Sequence, residues 1–300
     1  MSENILLTYT KPPLSIDEQV NRLRERGLII DDETELQYWL KNVNYYHLSI
    51  YFKFFQVDDV FRIGTSFSDV VKIYTFDNKF RFLLLDLLER VEKSFKARVT
   101  YMLSVETDQS HPHQSAGLFK DKFLYSEIQQ MFIGEVKHSK EISIQHYAQK
   151  YSNPTLPPIW TMVEILSFGQ TVKFSKSLKR EYKNLIARTF YSDEQFVMSW
   201  MHALSVLRNN CAHHTRLWNR ELVFTPRMDH RKYIKFFTTD KRLYNHLIVL
   251  QIVLNEVNLT TSWLEKLNQL ITEHSIDVSN MGFPVDWHSR LLSLQKMGNR

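Results

Sequence analysis

The apolar side chains between Ile73 and Met102 are spaced three or four residues apart without interruption. The nine positions are Ile73, Phe76, Phe80, Leu84, Leu87, Val91, Phe95, Val99 and Met102. This spacing places them on one side of an α-helix, whereas a half-buried strand needs an interval of two. We predict one long helix that is capped by Ser68 or Asp69, ends near Glu106 and turns this stripe towards a core.

The rest of the chain also favours helices. Only 7 glycines and 8 prolines occur among 300 residues, too few for the many tight turns of an all-β protein. Ser15-x-x-Glu18 has the form of a capping box, and Gly27 suits a helix C-terminus. Further predicted helices cover residues 36–43, 120–151, 160–169, 170–177, 181–190, 193–214, 240–257 and 261–273. We predict an all-α fold with an N-terminal helical module (1–60), a core (61–235) and a C-terminal helical extension (236–300).

Composition narrows the classes of protein further. The chain is 43% hydrophobic, enough to bury a core, and its net charge of +5 suits a polyanionic partner. The single cysteine, Cys211, excludes a disulfide framework and a cysteine-based zinc site. The start has no signal segment, and no apolar run approaches the roughly 18 residues of a membrane span. We expect a cytoplasmic protein without a membrane partner.

A chemically distinctive segment, Arg208-Asn209-Asn210-Cys211-Ala212-His213-His214, ends the helix predicted to begin at Asp193. Arginine supplies a permanent cationic fork for phosphate, and histidine exchanges protons near neutral pH. At about 100° per residue, Asn209 and His213 point away from the apolar stripe of this helix, together with His202. Cys211 and His214 fall within the stripe, so we predict a buried thiol and a structural histidine. The apolar stripe consists of Phe196, Trp200, Ala203, Leu204, Leu207 and Cys211.

Arg208 lies about 140° around the predicted helix from His213. Its long side chain can close part of that gap. Alternatively, two copies of the helix can meet at a two-fold axis and share one cleft, which predicts a homodimer. A third alternative is that Arg208 and His213 have no catalytic role and only stabilise the helix C-terminus, where positive charge is favoured.

The segment has the R-x(4–6)-H form and resembles the signature of the HEPN superfamily of helical domains, many of which cut RNA. The wider chain resembles the Abi-like abortive-infection family of the AbiF and AbiD type. The segments that carry this resemblance are PPLSIDEQVNRLRERGLII, NVNYYHLSIYFKFF, TFDNKFRFLLLDLLERVEKSFKARV, PPIWTMVEILSFG, RNNCAHHTRLWNR and MGFPVDW. The resemblance implies a HEPN-like bundle, an anti-phage role that arrests growth, and, for some members, a small non-coding RNA partner. Glu92-x-x-x-Lys96 resembles an element of HEPN helices whose acidic side chain orients the motif arginine. Alternatively, it is an ordinary surface ion pair.

The chemistry predicted from these residues is metal-independent cleavage of RNA. The 2′-hydroxyl of the RNA attacks the adjacent phosphorus while His213 acts as general base or acid. Arg208 stabilises the phosphorane oxygens, and Asn209 orients the histidine or a phosphate oxygen. The products are a 2′,3′-cyclic phosphate and a 5′-hydroxyl. We expect no cofactor, because the sequence contains neither HExxH nor a clustered carboxylate set for two metals.

Residues 12–56 combine cations with aromatic side chains, a composition that suits RNA. The residues are Arg22, Arg24, Arg26, Lys41, Lys53, Tyr45, Tyr46 and Tyr51. We predict that they form an accessory RNA-binding module, although the aromatic side chains can instead pack the module internally. Two alternatives to the nuclease remain: a non-catalytic RNA-binding protein, and a DNA-binding regulator that uses residues 12–56 as a helix-turn-helix.

Overall fold

A computed structural model describes residues 12–228, 232–257 and 262–298. Those residues form thirteen α-helices and one two-stranded antiparallel sheet, which confirms the all-α fold. The chain divides into two compact units, Met1–Asn78 and Lys79–Arg300. The three-part division inferred from the sequence stays a prediction. The first eleven residues, where we expected no signal segment, lie outside the described residues.

The N-terminal unit begins with three short helices, α1 (Ile16–Glu25), α2 (Glu33–Asn42) and α3 (Tyr45–Phe52). The predicted capping box is present, since the Glu18 backbone N–H donates to Ser15 and the Glu18 carboxylate accepts from the Ser15 backbone. Gly27 follows α1 at φ +89°, the left-handed conformation that a glycine adopts without strain. A hairpin of β1 (Gln56–Val57) and β2 (Val60–Phe61), which the sequence analysis missed, follows α3.

The longest helix, α4 (Phe67–Thr107), runs from the first unit into the second. Eight of the nine predicted apolar positions are buried, and Met102 is half-buried beside the buried Leu103. The predicted caps, Ser68 and Asp69, are wrong by two or three residues. Ser66 is the cap, because its hydroxyl accepts from the Asp69 N–H (3.3 Å) while its own N–H donates to the Asp69 carboxylate (3.1 Å).

The second unit continues with helices α5 to α13, whose bounds follow in chain order. They are α5 (Lys122–His138), α6 (Ile142–Lys150), α7 (Ile159–Glu164), α8 (Phe168–Ser177), α9 (Arg180–Arg188), α10 (Glu194–Ala212), α11 (Tyr244–Glu256), α12 (Trp263–Glu273) and α13 (Trp287–Gly298). Phe168-Gly169 begins α8 and does not end the preceding helix, because Ser167 and Gln170 form a capping box there. Thr261, the predicted start of α12, lies outside the described residues. No helix was predicted beyond residue 273, so α13 was missed within the predicted C-terminal extension.

The centre of the second unit is formed by α10 and α11. Helix α10 packs against α8, α9 and α11, and α11 packs against α13. Every residue of α11 from Tyr244 to Leu254 is buried, including Asn245, His246 and Gln251. In α10, by contrast, burial falls away in the last turn, where Cys211 is buried and Asn209 and Ala212 are exposed. The motif therefore lies at the end of a helix whose earlier turns are buried in the core of the second unit.

Candidate active site

The Arg208 side chain, in the last turn of α10, is held by a carboxylate on α4. Its Nε lies 3.2 Å from Oε2 of Glu92, whose other oxygen lies 3.4 Å from Nζ of Lys96. The Glu92 and Lys96 side chains are each only 11% exposed, whereas that of Arg208 is 34% exposed. A buried carboxylate needs cationic partners, and here it has two. Glu92-x-x-x-Lys96 is thus a largely buried cluster that includes Arg208, and the alternative of an ordinary surface ion pair is wrong.

The cluster leaves part of the Arg208 guanidinium available. Lys96 also approaches the Glu164 carbonyl oxygen at 3.5 Å, which ties it to the end of α7. Nη1 of Arg208 donates to Oδ1 of the exposed Asn209 at 3.4 Å. The Nε of Arg208 is directed at Glu92 and one-third of the side chain is exposed, so the arginine is oriented and still accessible to an anion.

The two histidines follow α10 and are not part of it. His213 is the C-cap residue, and His214 adopts φ +55°. The His214 N–H donates to the Cys211 carbonyl at 3.2 Å, and the Thr215 N–H donates to the Asn210 carbonyl at 2.9 Å. These two bonds form a Schellman motif, with His214 at the position that glycine usually occupies.

This turn changes the expected roles of the two histidines. His213 is exposed, as predicted, but His214 is exposed as well. The prediction of a structural His214 on the apolar stripe is wrong, because the helix ends at Ala212 and helical angles do not apply beyond that residue. For the same reason, the offset of about 140° between Arg208 and His213 no longer applies. The structure thus brings Arg208, Asn209, His213 and His214 together at one helix end, without separating the two histidines by burial.

Two further predictions for α10 concern Cys211 and His202. Cys211 is a buried thiol, as predicted. His202 is half-buried, with its ring 4.3 Å from that of Phe224. Burial, with a smaller contribution from Lys176, lowers the pKa of His202. His202 and Asn209 line one cavity of about 470 Å³, together with Lys120, Lys173 and Lys176.

The three lysines of this cavity were missed by the sequence analysis. They lie far from the motif along the chain, and only the packing of α8 against α10 brings Lys173 and Lys176 to it. The available signal was weak: two lysines three residues apart on a predicted helix, a spacing that many exposed helices share.

In the N-terminal unit, five of the predicted RNA-binding residues line one groove of about 490 Å³. They are Arg22, Arg26, Tyr45, Tyr46 and Lys53, with Asp59 beside them. Arg24 instead pairs with Glu33 at 2.6 Å, and Lys41 is exposed outside the lining of this groove. For Tyr51 the alternative of internal packing is confirmed, because Tyr51 is buried and donates to the Asp77 carboxylate at 2.8 Å.

Two features are absent from the described part of the chain. Among residues 12–228, 232–257 and 262–298, no group of three or more His, Cys, Asp or Glu side chains is placed to hold a metal ion. In the same residues, no helix has the length and apolar character that crossing a membrane requires.

The fold and the site define a class: an all-α protein in which a buried carboxylate orients an arginine at a helix end followed by two exposed histidines. The chain belongs to the Abi-like protein family, whose model matches residues 38–219, more than half of its length. The match runs from α2 through the end of α10 and includes the motif. Membership links the chain to abortive infection. No curated protein and no solved structure matches it.

Proposed function

We propose that this protein is a HEPN-type, metal-independent endoribonuclease of an abortive-infection system. The observation that carries the proposal is the Arg208 guanidinium, which Glu92 holds one turn before the exposed His213. An arginine fixed by a buried acid is pre-organised for the charge that develops on a phosphorane. A neighbouring exposed imidazole supplies proton transfer at neutral pH.

The proposed reaction is transesterification within the RNA. His213 takes the proton of a 2′-hydroxyl, and the resulting oxygen nucleophile attacks the adjacent phosphorus. The P–O5′ bond breaks, and the departing 5′-oxygen takes the proton from the imidazolium of His213, which restores the neutral histidine. Arg208 stabilises the non-bridging oxygens, and Asn209 keeps the guanidinium or a phosphate oxygen in position. The products are a 2′,3′-cyclic phosphate and a 5′-hydroxyl.

Growth arrest and RNA cleavage test the assignment together. Induction of the wild-type protein should stop growth, and the purified protein should cut labelled RNA. Arg208→Ala and His213→Ala should abolish both effects. The matched controls are Arg90→Ala and His146→Ala, which remove an exposed arginine and an exposed histidine elsewhere in the second unit. Full toxicity and full cleavage by both motif variants would show that the catalytic assignment is wrong.

The chemistry has its own test. Cleavage should continue in excess EDTA, and a deoxyribose at the cut site should block it, because the nucleophile is then missing. Activity that is lost in EDTA and restored by Mg²⁺ or Mn²⁺ would exclude the proposed mechanism.

His214 is the rival for the role of base, since both histidines are exposed. We expect His214→Ala to retain cleavage and His213→Ala to lose it. The opposite result would transfer the role to His214 and leave the role of Arg208 unchanged.

A non-catalytic RNA-binding protein is the second candidate, favoured by the groove that contains Arg22, Arg26, Tyr45, Tyr46 and Lys53. Tight binding of RNA that is never cut, with growth arrest unaffected by Arg208→Ala, would favour this candidate.

We also propose control by a small non-coding RNA, which sequencing of RNA co-purified with the protein tests directly. A single enriched species is expected, whereas a random sample of cellular RNA would contradict such control.

A homodimer and a cytoplasmic location complete the proposal. The offset of about 140° that predicted the dimer no longer applies, because α10 ends at Ala212, so the dimer depends wholly on a measurement of mass in solution. Light scattering should give twice the mass of the chain. A fully active monomer at nanomolar concentration would refute the dimer.

A further inference from the structure

The cavity that contains His202 and Asn209 lies along one side of α10, between α5 and α8. Its α10 wall runs from His202 through Ser205 and Val206 to Asn209. The opposite walls come from Leu124, Glu127 and Ile128 of α5 and from Gly169, Val172, Lys173, Lys176 and Ser177 of α8, with Lys120 at one end. Its volume of about 470 Å³ lies in the range of pockets that hold small organic ligands.

The lining of this cavity is apolar inside and cationic at its edge. Ile128 and Val172 are buried, and Leu124 and Val206 are half-buried. Lys120, Lys173 and Lys176 are all exposed, against one lining carboxylate, Glu127, which pairs with Lys173 at 2.8 Å. Three cations and one anion leave two positive charges in excess. The cavity therefore suits a ligand that combines an apolar body with negative charge.

The positive charge around Lys120 is consistent with this lining. Partial burial lowers the pKa of Lys120, and Lys183 and Lys176 lower it further, whereas Glu194 acts in the opposite direction. An anion in the cavity would favour the protonated amine of Lys120.

The cavity is joined to the proposed active site through Asn209. Asn209 lines the cavity, and its Oδ1 accepts a hydrogen bond from Nη1 of Arg208. The neighbouring His202 has a lowered pKa, so its ring is neutral near pH 7 and offers one donor and one acceptor. A neutral imidazole at an apolar wall can form hydrogen bonds with the edge of a nucleobase.

We propose that this cavity binds one nucleotide of the RNA, next to the phosphate that Arg208 holds. The base lies against Leu124, Val172 and Val206, and its phosphate contacts Lys173 and Lys176. This subsite rests on the proposed ribonuclease function for its place beside the scissile phosphate. Nucleotide binding itself does not depend on cleavage.

Binding of nucleoside 5′-monophosphates to the full-length protein, followed by ligand-observed NMR, tests the subsite. The wild-type protein should bind at least one of the four nucleotides more tightly than inorganic phosphate, because the base adds apolar contact. Lys176→Glu should weaken binding about tenfold, the cost of one charged hydrogen bond. Lys179→Glu, the same change at an exposed lysine outside the cavity lining, should have little effect.

A second variant tests the cavity without changing charge. Val206→Trp should fill the cavity and remove nucleotide binding, whereas Arg208→Ala should retain it. The subsite is refuted if no nucleotide binds better than phosphate, or if both cavity variants bind like the wild-type protein. If the wild-type protein binds nucleotides but cuts no RNA, the proposed function fails and the nucleotide site stands.

Discussion

Two ion pairs of this protein use the same chemical groups and differ in their surroundings. Arg208 and Glu92 meet in the second unit with the carboxylate only 11% exposed, whereas Arg24 and Glu33 meet in the N-terminal unit with both side chains 51% exposed. The exposed pair is the shorter, at 2.6 Å against 3.2 Å. Solvent screening and side-chain entropy nevertheless leave an exposed pair with a median worth of about 0–1 kcal/mol. Burial, more than the distance between the charged atoms, therefore determines how firmly an ion pair fixes the orientation of its arginine.

At neutral pH, the largest effect should come from removing the buried carboxylate. Glu92→Gln leaves Lys96 and part of Arg208 without their counter-charge, and we expect a loss of about 3 kcal/mol in the free energy of unfolding. This value is at the low end for buried pairs because Arg208 is one-third exposed. Glu33→Gln is the matched control and should cost less than about 1 kcal/mol. Denaturant unfolding measures both, and equal losses would refute the distinction.

Buried histidines extend the comparison to pH. Burial, together with repulsion from His111, lowers the pKa of His113 to about 3, and burial lowers that of His246 to about 4. Below pH 6.5, the ordinary pKa of histidine, these two side chains bind protons in the unfolded chain but stay largely neutral in the folded chain. Stability should therefore fall as the pH drops from 6.5 towards 4, by up to about 1.4 kcal/mol per pH unit for each histidine.

His113→Leu isolates one of these two contributions. We expect a shallower dependence of the unfolding free energy on pH between 6.5 and 4, whereas His146→Ala, at an exposed position, should leave the slope unchanged. A slope that is the same in all three proteins would show that the buried imidazole is not the cause.

A smaller effect should separate two arginines of the N-terminal unit. Arg22 lines the groove, whereas Arg24 is paired with Glu33. Arg22→Glu should weaken RNA binding about tenfold and flatten its dependence on salt, because a phosphate contact is lost. Arg24→Glu should change both quantities less. Unchanged affinity and salt slope for Arg22→Glu, in a folded protein, would leave the groove with a purely structural role.

The smallest expected effect concerns the turn after α10. His214 is held at φ +55°, a conformation that costs an L-residue about 1–2 kcal/mol. His214→Gly should therefore stabilise the protein by up to about 1 kcal/mol, after the extra chain entropy of glycine is subtracted. Thermal unfolding measures the gain. Destabilisation would indicate that the imidazole makes contacts that outweigh the backbone strain.

The long helix α4 was predictable because its signal is local and repeated. Apolar spacing indicated its core stripe, and Ser15 and Glu18 indicated the start of α1 in the same way. The end of α10 was not predictable from such patterns. A glycine directly after the C-cap residue usually marks a helix end, but this chain has His214 there. The helical pattern of the sequence therefore continues past the true end of α10.

The surroundings of the motif, like the end of α10, could not be predicted from local sequence patterns. Arg208, Asn209 and His213 were predicted as site residues from their spacing and from resemblance to the R-x(4–6)-H form, and Glu92 was predicted from resemblance alone. Whether Glu92 lay in an exposed pair or a buried cluster depended on how α4 packs in the second unit. No local sequence pattern indicates that one cavity contains Lys120, Lys173 and Lys176, because their proximity to Asn209 exists only in the folded chain.

The burial of α11 from Tyr244 to Leu254 has a consequence for synthesis on the ribosome. A helix that is buried on every side over eleven residues cannot remain in water alone, and α11 is covered in part by α13, whose first residue follows the last residue of α11 by some thirty positions. Until those residues leave the exit tunnel, the nascent chain presents an apolar helix that attracts chaperones and other nascent chains. We therefore expect ribosomes that stall before Trp287 to release fragments that aggregate, because α13 is then missing and cannot cover α11.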